Sequence, residues 1–172
     1  APFDIPCGAD PVVVEPVDFD LDGNIDFVTC NKANSTITVM YDIGFGSYST
    51  PAVLTPGSTV NCVGAADTDG DGDSDPIVCT GGAAKVMVWP NQGQTFGPAS
   101  EYSTSVAPSF ITISDFNGDG VLDLATVSNN GADINCLRGD GSGAFVTFLT
   151  SASIGNATCI ISGDFDLDGK RD

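Results

Sequence analysis

The chain has 172 residues with no histidine, and its basic residues are only five, Lys32, Lys85, Arg138, Lys170 and Arg171, against 23 acidic ones. Without histidine, Ser–His and Cys–His nucleophile pairs are excluded, and so are zinc or copper sites built on imidazole. A net charge of −18 repels phosphate backbones and anionic lipid surfaces, which excludes nucleic acid as a partner. No apolar run approaches the roughly 20 residues that a membrane-spanning helix needs. No positively charged start leads into an apolar segment, so neither membrane insertion nor a retained signal peptide is expected. Sustained helical periodicity is also missing. What remains is a chain cut by 21 Gly and 10 Pro into short runs of Val, Ile, Thr and Phe, the pattern of strands separated by turns. Its length suits one domain, residues 1–172.

The acidic residues are clustered: 16 of the 23 lie in four short segments anchored at Asp18, Asp67, Asp115 and Asp164, which are spaced 49, 48 and 49 apart. A repeat of this length signals propellers, solenoids or arrays. Upstream of each anchor is an apolar or Thr-rich run: Val12–Val14, Val60–Val63, Phe110–Ile113 and Thr158–Ile161. Downstream of the first three come Phe27–Cys30, Ile77–Cys79 and Leu124–Val127, then a polar turn, then Ile37–Tyr41, Val86–Trp89 and Ile134–Leu137. Gly-rich turns carrying Phe45-Gly46, Phe96-Gly97 or Ala144-Phe145 lead to a fourth strand. The expected fold is all-β, in four-stranded antiparallel blades of β-propeller type. Three full repeats (10–57, 58–106 and 107–155) are flanked by partial ones: residues 1–9, read as a fourth strand, and residues 156–172, read as strand one and its loop. Such units are too small to bury both faces and need neighbours. A closed propeller takes about four to eight blades, so completion by other copies of the chain or by neighbouring repeats of a longer one is expected.

Each clustered segment spans nine residues, Asp18–Asp26, Asp67–Asp75, Asp115–Asp123 and Asp164–Asp172. Positions one, three, five and nine are Asp18, Asp20, Asp22 and Asp26; Asp67, Asp69, Asp71 and Asp75; Asp115, Asn117, Asp119 and Asp123; and Asp164, Asp166, Asp168 and Asp172. Position six is always Gly, and position seven (Asn24, Asp73, Val121, Lys170) offers a backbone carbonyl. Alternating hard oxygen donors around a sharp glycine turn suit Ca2+, up to four ions, better than softer metals. An EF-hand would need a bidentate Glu at position twelve, where this chain has strand residues such as Thr29 and Thr126. Phe19, Phe116 and Phe165, at position two, alternate away from the ion and are expected in the core.

The spacing D-x-[DN]-x-D-G-x-x-D between two strands, the Asp-Phe-[Asp/Asn] opening of three loops and the Gly-rich turn with Phe resemble the FG-GAP/VCBS repeats of integrin α chains and many secreted microbial proteins. The resemblance implies a propeller-type blade holding calcium in the hairpin between strands one and two. The roles it implies include adhesion, glycan binding and scaffolding, so fold alone does not fix function.

Six cysteines suggest disulfides and an oxidising compartment. Cys62 and Cys79 lie across one hairpin and are the first pair expected. Cys30 and Cys159 share their phases and form a second candidate pair, with Cys7–Cys30 and Cys136–Cys159 as alternatives. Asn34-Ser35-Thr36 and Asn156-Ala157-Thr158 fit the N-glycosylation pattern. Arg138-Gly139-Asp140 spells an integrin-recognition tripeptide, although the Gly-Asp-Gly overlapping it is a natural turn. Trp89, Tyr41 and Tyr102 are candidates for sugar stacking, but Trp89 has the repeat phase of Met40 and Leu137 and is expected to pack. Metal binding accounts for the close carboxylate pairs, whereas a glycosidase needs two free ones, so no enzymatic role is expected. The expectation is therefore an extracellular, secreted or cell-surface calcium-binding module with a structural, adhesive or self-assembling role, whose partners are further copies, glycans or cell-surface proteins. A propeller-type lectin is the alternative.

Overall fold

The computed structural model describes residues 7–128, 133–152 and 157–172. It contains twelve strands in three antiparallel sheets of four, each sheet in sequence order. Sheet 1 comprises β1 (Pro11–Val17), β2 (Asp26–Asn31), β3 (Thr36–Met40) and β4 (Ala52–Leu54). Sheet 2 comprises β5 (Val60–Ala66), β6 (Asp75–Thr80), β7 (Lys85–Val88) and β8 (Ser100–Ser103). Sheet 3 comprises β9 (Phe110–Ser114), β10 (Asp123–Val127), β11 (Asp133–Gly139) and β12 (Phe145–Ala152). The three sheets fall inside the three intervals that the sequence period defines.

The sheets stack through their first strands, with β5 touching both β1 and β9. That position suits β1, whose Pro11 and Pro16 can donate no ladder bond and therefore sit on a sheet edge. The second strands β6 and β10 are buried throughout, and β2 nearly so, because each lies between two partners in its sheet and under a neighbouring sheet. Two apolar seams result. Sheet 1 meets sheet 2 through Val28, Ile37, Val39 and Tyr41 against Val63, Val78, Met87 and Trp89. Sheet 2 meets sheet 3 through Ile77, Val86 and Val88 against Ile111, Leu124, Leu137 and Phe145. Burying a large side chain of this kind stabilises by about 1.5–3 kcal/mol, so the seams hold the array together.

Three expectations need correction. Residues 157–163 form no strand, because among the described residues no strand pairs with them. They are held instead by a bond between the Thr112 and Ser162 hydroxyls at 3.1 Å and by paired backbone bonds between Gly163 and Asp172. Residues 7–9 form no strand either, while residues 1–6 lie outside the described residues. The Phe-Gly motifs also do not superpose. In sheet 1 the turn Ile43–Ser47 is one residue longer than Gln92–Thr95 in sheet 2. The residue facing Asp42 is consequently Tyr48, just as Phe96 faces Asn91 and Phe145 faces Gly139. Phe45 stands fully exposed at the turn tip.

Candidate metal-binding loops

All four Asp loops share one internal scaffold. The position-six glycine donates its N–H to the position-one carboxylate: Gly23 to Asp18 at 3.0 Å, Gly72 to Asp67 at 3.0 Å, Gly120 to Asp115 at 2.8 Å and Gly169 to Asp164 at 2.9 Å. These glycines have φ of 89°, 98°, 86° and 88°, a conformation open to glycine and strained for other residues. The N–H of position seven turns back to the position-five carboxylate, as from Asn24 to Asp22 at 2.7 Å and from Asp73, Val121 and Lys170 to Asp71, Asp119 and Asp168, each at 2.9 Å. Position four is also left-handed, at Leu21, Gly70, Gly118 and Leu167. In the first two loops these reversals bring the side chains of positions one, three and five to one point.

Asp18, Asp20 and Asp22 each place a carboxylate oxygen within 4.8 Å of the other two, and so do Asp67, Asp69 and Asp71. In the fourth loop the group is Asp164, Asp166 and Asp172. The third loop has Asn117 at position three; its carbonyl supplies an oxygen without a charge, and it accepts the Asp119 N–H at 2.9 Å. In that loop the Gly120 N–H, with those of Gly118, Asp119 and Asn117, holds the Asp115 carboxyl below the usual range. The donor set consists of hard oxygens with several negative charges, the type of ligand that a calcium ion takes. Apposed carboxylates repel one another without a cation.

The ninth position does something the sequence did not reveal. The side chain of Asp26 accepts the Phe19 N–H at 2.8 Å and the Asp42 N–H at 2.7 Å. Asp75 accepts the N–H groups of Thr68 at 3.1 Å and Asn91 at 2.7 Å, together with the Thr68 hydroxyl. Asp123 accepts those of Phe116 at 3.1 Å and Gly139 at 3.0 Å. Each of these three aspartates is buried and ties the start of its loop to the end of the third strand. Burial raises the pKa of Asp26 and Asp75, although the backbone N–H bonds act in the opposite sense. The side chain of Asp172, exposed at the fourth loop, accepts the Phe165 N–H at 2.9 Å.

The position-two residues diverge. Phe19 is fully buried and meets Phe96 edge-on, with ring centroids 6.5 Å apart. Thr68 is buried in the second loop, and Phe116 is half-buried. Phe165 is 68% exposed, which corrects its expected core role, since no sheet among the described residues covers the fourth loop.

The six cysteines are free thiols. Cys62 and Cys79 are register partners on β5 and β6 and are both buried. Cys30 is buried in the neighbouring seam, Cys136 is half-buried, and Cys7 and Cys159 are exposed. Burial pushes the Cys30 thiol up to about 12 and the Cys62 thiol up to about 11, and raises that of Cys79 as well. Asn34 is exposed in the turn between β2 and β3, where its side-chain oxygen accepts the Thr36 hydroxyl at 3.0 Å. Asn156 lies outside the described residues. Gly139 of the Arg-Gly-Asp sequence is buried, and the Asp140 carboxylate is engaged by the hydroxyl and N–H of Ser142 at 2.7 and 2.9 Å. That places the tripeptide in a strand end and its turn. Trp89 and Tyr41 are core residues, and Tyr102 bonds to the Gly143 carbonyl at 2.9 Å.

Among solved structures, the chain is similar to a Photorhabdus luminescens Tc holotoxin pore carrying the mutation TccC3-D651A, with a TM-score of 0.51 and 18% identity. It is also similar to BBS1N in complex with ARL6DN in a lead-soaked crystal, with a TM-score of 0.62 and 12% identity. These matches cover 81% and 88% of this chain but only 7% and 46% of the other two. At such identities the likeness is one of fold. No curated protein sequence matches the chain. The profile of the FG-GAP-like repeat matches three times, over residues 18–78, 67–126 and 115–172, each match running from one Asp loop into the next. The chain belongs to the FG-GAP-like repeat family.

Proposed function

We propose that the chain is a non-catalytic, extracellular calcium-binding repeat module whose ions stiffen a stack of propeller-type blades serving a structural or adhesive role. One observation carries this reading: three of the four Asp loops hold a carboxylate cluster, each with oxygens drawn within 4.8 Å. Calcium would be held by Asp18, Asp20 and Asp22, by Asp67, Asp69 and Asp71, by Asp115, Asn117 and Asp119, and by Asp164, Asp166 and Asp172, and would relieve their mutual repulsion. The exposed Asn34 sequon supports an extracellular setting. In such a setting the register partners Cys62 and Cys79 would join as a disulfide. No helix among the described residues is long and apolar enough to cross a membrane.

The decisive experiment is calorimetry in calcium, in magnesium and in excess chelator. Ion binding to the folded state stabilises by about 2.7 kcal/mol at a hundredfold excess over Kd. A large calcium-specific rise in melting temperature is expected, and identical melting curves in calcium and chelator would sink the reading.

A second reading, a lectin, draws on one feature. A polar cavity of 520 Å3 is lined by Lys32, Thr59, Asn61, Gly81, Gly82 and Ser109 from different sheets. Saturable binding on a glycan array, lost in Lys32→Ala, would favour it over the structural role.

A further inference from the structure

At each internal seam the turn between the third and fourth strands of one sheet lies on the Asp loop of the sheet before it. At the first seam Asn91 donates to the Phe19 carbonyl at 2.9 Å, and the Gln94 side-chain amide donates to the Asp20 carboxylate at 2.7 Å. At the second, Gly143 N donates to the Thr68 carbonyl at 3.0 Å, and a Cβ on Gly143 would stand 3.4 Å from that of Asp69. Gln94 and Gly143 occupy one structural position. Each lies two residues before the aromatic that faces the end of the third strand, Phe96 opposite Asn91 and Phe145 opposite Gly139. Tyr48, opposite Asp42, makes Gly46 the counterpart in sheet 1.

This position is left-handed in all three turns, with φ of 71° at Gly46, 64° at Gln94 and 78° at Gly143. Glycine takes that conformation freely, whereas glutamine is strained there. Such strain persists where the surrounding structure holds it in place, and it clusters at functional sites. The exposed Gln94 side chain crosses to a residue 74 positions away. That residue is position three of loop one, one of the three carboxylates gathered within 4.8 Å. Asp20 is thus held from two sides: its Oδ1 accepts the Asp22 N–H of its own loop at 3.3 Å, and its Oδ2 accepts Gln94 of the next sheet. Asp69 in loop two has the first kind of bond, from Asp71 N at 3.2 Å, but among the described residues no side chain donates to it.

We propose that Gln94 is a positioning residue for the ion of loop one, orienting the Asp20 carboxylate from the neighbouring sheet, so that this site spans the seam while loop two has no such support from sheet 3. The proposal rests on the calcium reading above. A neutral amide suits the task. It fixes a ligating carboxylate without bringing a positive charge that would oppose a divalent cation, as a lysine would. Linkage is reciprocal, so the ion in turn holds the turn of sheet 2 against sheet 1.

The test is a calcium titration of the isotope-labelled chain followed by NMR at the amides of Gly23 in loop one and Gly72 in loop two, together with melting curves in chelator. Gln94→Gly removes the side-chain amide and gives the turn the residue of its two counterparts, whereas Gln94→Met removes the amide and keeps the strain. Both variants should weaken calcium binding at Gly23 by about tenfold, the lower end for loss of a group that orients a metal ligand, and leave Gly72 unchanged. In chelator Gln94→Gly should melt higher than Gln94→Met, because only the latter keeps the strain, so a calcium defect shared by both cannot come from stability. Equal midpoints at Gly23 in parent and variants would overturn the proposal and leave the calcium reading standing. A matched loss at Gly23 and Gly72 would overturn it as well, because that pattern marks a general loosening of the fold. A parent in which calcium moves neither amide would remove the calcium reading and this proposal with it.

Discussion

Asp75 accepts the backbone N–H of Asn91 at 2.7 Å, and the Asn91 side chain donates across the seam to the Phe19 carbonyl at 2.9 Å. One residue thus couples the Asp loop of sheet 2 to that of sheet 1. Asn91 also bonds the Ser74 carbonyl at 3.1 Å and is fully buried. Replacing it with Ala leaves two carbonyls without that donor, and an unsatisfied buried polar group costs about 1–3 kcal/mol. At about 2–4 °C per kcal/mol for a chain of this size, Asn91→Ala should melt several degrees lower. An unchanged melting temperature would show that this bond contributes nothing net to the seam.

Position six and position four of the loops should respond oppositely to substitution. Gly72 has φ of 98°, and a Cβ there would meet nothing closer than Leu21 at 4.0 Å. The cost of Gly72→Ala is therefore conformational, about 1–2 kcal/mol. Leu21 has φ of 59° and is exposed, so it bears left-handed strain of about 1 kcal/mol that Asn tolerates better. Leu21→Asn should stabilise by up to that amount. Denaturant midpoints compare both, and a Gly72→Ala midpoint equal to the parent's would show that the turn does not need glycine.

The thiols should divide sharply in reactivity. Iodoacetamide applied to the folded, reduced chain at mildly alkaline pH should label Cys7 and Cys159, which are exposed. Cys30, Cys62 and Cys79 should be spared, because burial raises all three thiols and leaves little thiolate at the surface to react. Denaturant should release all six. In chain expressed through an oxidising compartment, peptide mapping should find Cys62 joined to Cys79, a bridge expected to stabilise by about 3 kcal/mol for a loop of this size. Labelling of Cys79 as fast as Cys7 would contradict the closed seam.

Much of this architecture is local and could be read from the chain. The Asp-Gly loops declare themselves because each depends on bonds within nine residues, such as Gly120 to Asp115. The three sheets follow from apolar runs between such loops. The clamp role of Asp26 was hidden because its partner, Asp42, lies 16 residues on, beyond two strands. The aromatic position after the third strand was misread because the turn of sheet 1 is longer by one residue, which moves Phe45 to the tip and puts Tyr48 in its place. Residues 157–163 have a strand's composition but no partner strand among the described residues, and composition alone does not make a ladder.

Phe19 and Phe165 share a motif position but not an environment, and this difference yields the last prediction. Phe19 is fully buried at the first seam against Phe96, whereas Phe165 is 68% exposed. Truncating a buried Phe to Ala removes its transfer energy and leaves a cavity, costing about 3–5 kcal/mol. The same change at an exposed position stays within about 0.5 kcal/mol. Phe19→Ala should therefore lower the melting temperature by roughly 6–20 °C at about 2–4 °C per kcal/mol, while Phe165→Ala leaves it nearly unchanged. Phe116→Ala should fall between them, because Phe116 is half-buried. Melting curves of all three variants make the comparison, and a Phe165→Ala penalty as large as that of Phe19→Ala would contradict the difference in burial.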